Sequence, residues 1–91
     1  MNTIKSREHI KEAYFNLGFV HMFYLELYSE SLKYFSRAME IDPNYYQALY
    51  NRGYAFELMG DIKNAATDYR QALKVKPDYD LAANGLSRVQ E

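Results

Sequence analysis

The stretch "AMEIDPNY" at residues 38–45 recurs as "ALKVKPDY" at residues 72–79. Ala38 and Ala72, Ile41 and Val75, Pro43 and Pro77, and Tyr45 and Tyr79 share one register, and so do Phe35 and Tyr69. Upstream, "AYFNLGFV" (13–20) recurs as "ALYNRGYA" (48–55), aligning Ala13/Ala48, Asn16/Asn51 and Gly18/Gly53 at a spacing one residue longer. The extra residue of the first copy falls in "YLELYS", where the second has "MGDI". A period of this length marks a stacked-repeat architecture and constrains the fold more than any composition does. The residue before a proline is pushed out of the helical region, so each copy ends its second helix sharply at Pro43 or Pro77.

Within each copy the apolar spacing is helical. Tyr14, Leu17, Gly18 and His21 fall at i, i+3, i+4 and i+7, and Leu49, Arg52, Gly53 and Phe56 repeat the pattern. That spacing puts each set on one helix face. Leu32, Phe35, Ala38 and Met39, then Ala66, Tyr69 and Leu73, show a similar period in the second helices. Small residues at Gly18/Ser31 and Gly53/Ala65 let paired helices approach closely. Gly60 tolerates the left-handed conformation that ends a helix, and Asp61 supplies a capping carboxylate for the next; Ser29 is the expected cap in the first copy. The expected helices are 6–25, 29–41, 45–59, 62–75 and 79–90, with no strand.

These positions resemble the tetratricopeptide repeat family, whose unit is a helix–turn–helix of about 34 residues. The second copy supplies Leu49, Arg52, Gly53, Phe56, Ala65, Tyr69, Ala72 and Pro77; the first supplies Tyr14, Leu17, Gly18, His21, Ser31, Phe35, Ala38 and Pro43. The resemblance implies an all-α fold of antiparallel hairpins stacked as a short right-handed α-solenoid. It divides one domain into an extension of the first helix (1–10), repeats at 11–45 and 46–79, and a capping helix or truncated third repeat (80–91). Arg52 stands where the family has an apolar residue, and His21 where it has an aromatic one.

Charge and residue usage narrow the function. Net charge is −1 with a pI near 6.1, which gives no electrostatic footprint for nucleic acid or an anionic membrane. The chain has no cysteine, so disulfides and thiolate chemistry are excluded. "MNTIKSREHIKE" has no apolar signal-peptide core; a cytoplasmic location is expected on the condition that Met1 is the native start. There is no Gly-rich phosphate loop, nucleophile motif or paired-histidine metal spacing, so neither an enzyme nor a cofactor is expected. Glu8, His9 and Glu12 lie within one turn, but two carboxylates and one imidazole rarely suffice for a metal. That face is read as solvated, and His21 as a packed histidine.

What remains is a surface for a protein or peptide. Phe15, Phe19, Tyr50 and Tyr54 follow the core positions by one residue, which the resemblance places on the concave face of the first helices. Aromatic side chains bury large areas at little entropic cost, so they anchor interfaces well. Asn16 and Asn51 match in register beside them, and an amide can both donate to and accept from an extended backbone. Met22 and Gln47 complete the candidate groove; Arg52 is expected to pair with a neighbouring acid. Some family members hold a chaperone C-terminus with Lys, Asn and Arg. Here Phe15, Phe19, Leu81 and Gly85 stand at those positions and only Asn51 matches, so that ligand is disfavoured. The chain is expected to be a monomer or a weak homodimer. The alternative to a binding groove is a structural role, as a self-associating module or as one slice of a longer solenoid, with the first helix left uncovered.

Overall fold

The computed structural model describes the backbone of residues 3–90 and the side chains of residues 6–90. Among the described residues there are five helices and no strand: α1 (Thr3–Phe23), α2 (Tyr28–Ile41), α3 (Tyr46–Leu58), α4 (Ile62–Val75) and α5 (Asp80–Val89). Each helix packs chiefly on the next in sequence, and α3 also touches α1 and α5. The all-α hairpin fold expected from the repeats is therefore present. The first helix starts earlier than expected and ends two residues sooner. Of Ile4 and Ile10, the apolar residues that the sequence offers to cover the first helix in part, Ile4 lies outside the described side chains and Ile10 is exposed.

Two glycine-lined aromatic wedges hold the hairpins together. Phe35 of α2 is fully buried, and a Cβ built on Gly18 would lie 2.7 Å from its ring. Tyr69 of α4 is also fully buried, and its ring meets Gly53 of α3 and Gly85 of α5. Around Phe35 gather Met22, Ala38, Ala48 and Ala55; around Tyr69 gather Leu49, Ala65, Ala72, Ala82 and Val89. Met39 packs against both clusters and joins them. A bulky ring seated on a bare backbone removes much apolar area from water while keeping the helices close, which a core of medium-sized side chains could not do.

The turns differ as the extra residue foretold. In the second hairpin Gly60 takes φ 83°, and Asp61 caps α4 by accepting from the Asn64 backbone N–H at 3.3 Å. In the first, Glu26 takes φ 56°, and the Leu27 N–H reaches back to the His21 carbonyl at 2.8 Å. Helix α2 then starts at Tyr28 with Leu27 before it and no side-chain cap. Ser29 therefore sits inside the first turn and does not cap it; the cap position in register with Asp61 is held by Leu27, whose side chain has no oxygen to accept with.

Leu17 is the other correction. It is 42% exposed, although its spacing groups it with Tyr14, Gly18 and His21. Its counterpart Arg52 lies on α3, which has neighbours on both sides, whereas among the described residues α1 packs on α2 and, slightly, on α3 only. His21 is half-buried, with Nδ1 2.7 Å from the Leu17 carbonyl and its ring 4.7 Å from that of Tyr34. It is a packed histidine.

Candidate functional site

The four register-matched aromatics all sit half-buried on α1 and α3, but their surroundings differ. The Tyr50 and Tyr54 rings are nearly parallel, at 6° and 6.2 Å between centroids. Tyr50 also meets Tyr69 and Tyr79 at 5.7 Å each, and burial pushes its hydroxyl pKa up. Phe15 stacks on Tyr45 at 5.3 Å and leans on Phe35. Phe19 belongs to neither core and instead stacks on Phe23 at 5.0 Å. Tyr50 and Phe15 are thus partly committed to folding, and Phe19 is not.

The other candidates separate in the same way. The Asn16 amide is exposed, with no partner among the described residues. Asn51 is 8% exposed and donates from Nδ2 to the Gln47 carbonyl at 2.8 Å, a bond within its own helix. Met22 is 2% exposed and offers a floor more than a handle. Gln47 is half-buried. Arg52 spans helices, donating to both Asp68 carboxylate oxygens at 2.8 Å and to Ser36 Oγ at 3.1 Å. The expected neighbouring acid is therefore Asp68, itself nearly buried, and a guanidinium so occupied is not available to a ligand.

Two features carried no sequence signal strong enough to single them out. First, Glu57 gathers three donors: Tyr69 Oη at 2.6 Å and Arg88 Nε and Nη2 at 2.9 and 3.1 Å. Burial alone would raise the Glu57 pKa, but these hydrogen bonds outweigh it and hold the carboxyl below its usual value. Burial and the bond to Glu57 drive the Tyr69 hydroxyl far above the usual phenol range. The Arg88 guanidinium also lies 5.8 Å from the Tyr54 ring centre, so α5 is pinned to the aromatic face of α3. Second, an apolar edge collects at the α1–α2 turn, where Phe23 is 60% and Tyr24 74% exposed. The extra residue in "YLELYS" was its one trace in the sequence.

Among the described residues no group of three or more His, Asp or Glu side chains is placed to hold a metal ion, and no helix is long and apolar enough to cross a membrane.

Two family models described as Tetratricopeptide repeat match the chain, one over residues 11–45 and the other over residues 46–79. The chain belongs to the tetratricopeptide repeat family. It is 35% identical over 66 residues to sperm-associated antigen 1 of Mus musculus, covering 72% of this chain and 7% of that protein. It is 36% identical over 53 residues to an FK506-binding protein-like protein of Mus musculus, covering 58% and 15%. It is 36% identical over 62 residues to a DnaJ homolog subfamily C member 3 homolog of Dictyostelium discoideum, covering 68% and 12%. The chain thus spans only 7 to 15% of the length of these relatives. Tetratricopeptide repeats are in general non-catalytic protein-interaction modules, and the two matches support a protein-interaction module here.

Proposed function

We propose that this repeat pair binds an extended peptide or a partner helix along the face shared by α1 and α3. The observation that carries the reading is the parallel Tyr50–Tyr54 pair, half-exposed on α3, with Phe15 and Phe19 at matching positions on α1. Stacked rings present a flat apolar surface already fixed in place, so little entropy is lost when a ligand covers them. The unpartnered Asn16 amide is the polar contact, while Gln47 lies one turn before Asn51 with its carbonyl engaged and its side chain free to reach outward. Met22 and Asn51 would serve as support beneath the surface. The test is a peptide recovered by display selection, titrated against Phe19→Ala, Tyr54→Ala and Asn16→Ala. Losses of about 2 kcal/mol at an aromatic anchor fit the reading; unchanged affinity in all three variants would sink it.

A second reading has its own support. Helices α2, α4 and α5 are amphipathic, but in α1 and α3 the apolar side chains are not gathered on one face. That suits α3, which is sandwiched between neighbours. On α1 it leaves Ile10, Leu17 and Val20 between 41 and 47% exposed along one stripe. The stripe fits a preceding repeat of a longer solenoid or a second copy in a weak homodimer, since repeat stacks need covered ends. Sedimentation of the chain and of Leu17→Lys across a concentration range decides whether it self-associates there.

A further inference from the structure

The outer edge at the α1–α2 turn gathers six of the exposed large apolar side chains among the described residues. Phe23, Tyr24, Leu25 and Leu27 on the turn are 48 to 74% exposed, and Leu58 and Met59 at the end of α3 are 43 and 44% exposed. Exposed apolar side chains gathered in one place mark interaction sites, unlike single ones scattered over a surface. Phe23 and Leu58 flank a pocket of about 180 Å³ floored by Met22 and Tyr54. A shallower depression beside it runs over Leu27, Tyr28 and Met59. Glu26 and Tyr28 line both, so the two form one continuous surface.

The charge of this surface has one sign. Glu26 lines both hollows and Glu30 lines the second; no Lys or Arg lines either. Glu30 meets Lys33 at 3.7 Å in an exposed pair, which contributes little. Glu26 is exposed and makes no hydrogen bond or ion pair among the described residues. It also holds φ 56°, where the second hairpin uses Gly60. A side chain in this conformation is disfavoured relative to glycine, so Glu26 does not stand there for the sake of the turn. An acidic rim on an apolar pocket repels an anionic membrane and complements a cation carried beside a bulky apolar group.

We infer that this edge docks a short amphipathic segment of a protein partner bearing Lys or Arg next to Leu, Phe or Met. One apolar side chain fills the pocket between Phe23 and Leu58, and the neighbouring cation meets the Glu26 carboxylate. The pocket borders the face proposed on α1 and α3, sharing Met22 and Tyr54 with it, whereas Glu26, Leu27, Leu58 and Met59 belong to this edge alone.

The probe is a fluorescein-labelled synthetic peptide of Leu and Lys in amphipathic order, with a counterpart carrying Glu for every Lys. Anisotropy titrations give affinity, and amide chemical shifts of the labelled protein map the site. The Lys peptide should bind about tenfold or more tightly than the Glu peptide. Phe23→Ser, Glu26→Gln and Glu26→Gly should each weaken it several-fold, while Leu81→Ser, at an exposed position of α5, leaves it unchanged. Glu26→Gly should melt no lower than the parent, so its weaker binding could not be blamed on unfolding. Shift changes should centre on residues 23–28 and 58–60. The inference is overturned by equal binding of the two peptides, by no binding, or by shifts confined to Phe15, Asn16 and Tyr50. It is equally overturned if the chain self-associates through this edge and the Lys peptide does not compete.

Discussion

Valine at position 53 would place three carbons where the structure has room for none. The first, at Cβ, would lie 3.0 Å from two ring carbons of Tyr69 and 3.2 Å from Asp68 Cβ. Tyr69 has nowhere to retreat. Its ring already presses on Gly85, where a Cβ would fall 2.6 Å away, and its hydroxyl is tied to Glu57 at 2.6 Å. Overpacking of this kind costs about 1–3 kcal/mol. The better helix propensity of Val over Gly offsets only a few tenths of that, at roughly 0.3 kcal/mol. The net loss should therefore be about 1–3 kcal/mol, or a melting temperature lower by about 5–20 °C for a domain of this size. Thermal and urea unfolding followed by far-UV circular dichroism measure it. Gly53→Ala separates the terms, because a propensity gain of about 1 kcal/mol opposes the same contact and the loss should shrink. If Gly53→Val melts within error of the parent, Tyr69 is not wedged between α3 and α5, and the packing argument fails.

Three further outcomes follow from the same contacts. Asp68→Ala should cost about 2–4 kcal/mol in urea unfolding, because it strands the Arg52 guanidinium, and replacing both residues by leucine should restore most of the loss. Burial raises the hydroxyl pKa values of Tyr45, Tyr50, Tyr69 and Tyr79 above the usual 10.0. Their contribution is thus complete below that value and is lost as pH rises beyond it, since the unfolded chain ionises first; stability should fall above about pH 10, less steeply in Tyr69→Phe. Phe19→Ser should change stability by no more than about 0.5 kcal/mol, whereas Tyr50→Ala should cost about 2–4 kcal/mol, because Tyr50 packs on a core and Phe19 does not. Chemical denaturation of the two variants side by side checks this.

The helix order and the aromatic–small pairing were legible in the residues, because each depends on local rules. Prolines stop helices, Gly60 and Asp61 make a turn and a cap, and helical spacing selects faces, whatever the rest of the chain does. Arg52 could be expected to need an acid for the same reason: a guanidinium beside a core must be paired. Which acid it met, Asp68, depended on how α3 lies on α4. Tertiary packing also decided that Leu17 would be exposed, since its spacing groups it with packed positions and only the way α1 lies on α2 and α3 distinguishes it. It divided the four matched aromatics, drawing Tyr50 toward Tyr69 and Tyr79 while leaving Phe19 with Phe23. It brought Glu57, Tyr69 and Arg88 together from three helices, and it set Leu58 beside Phe23 to form a pocket. A sequence states the preferences of each turn of helix, but contact between helices is a property of their relative placement, and the surface that remains for a partner is whatever that placement leaves uncovered.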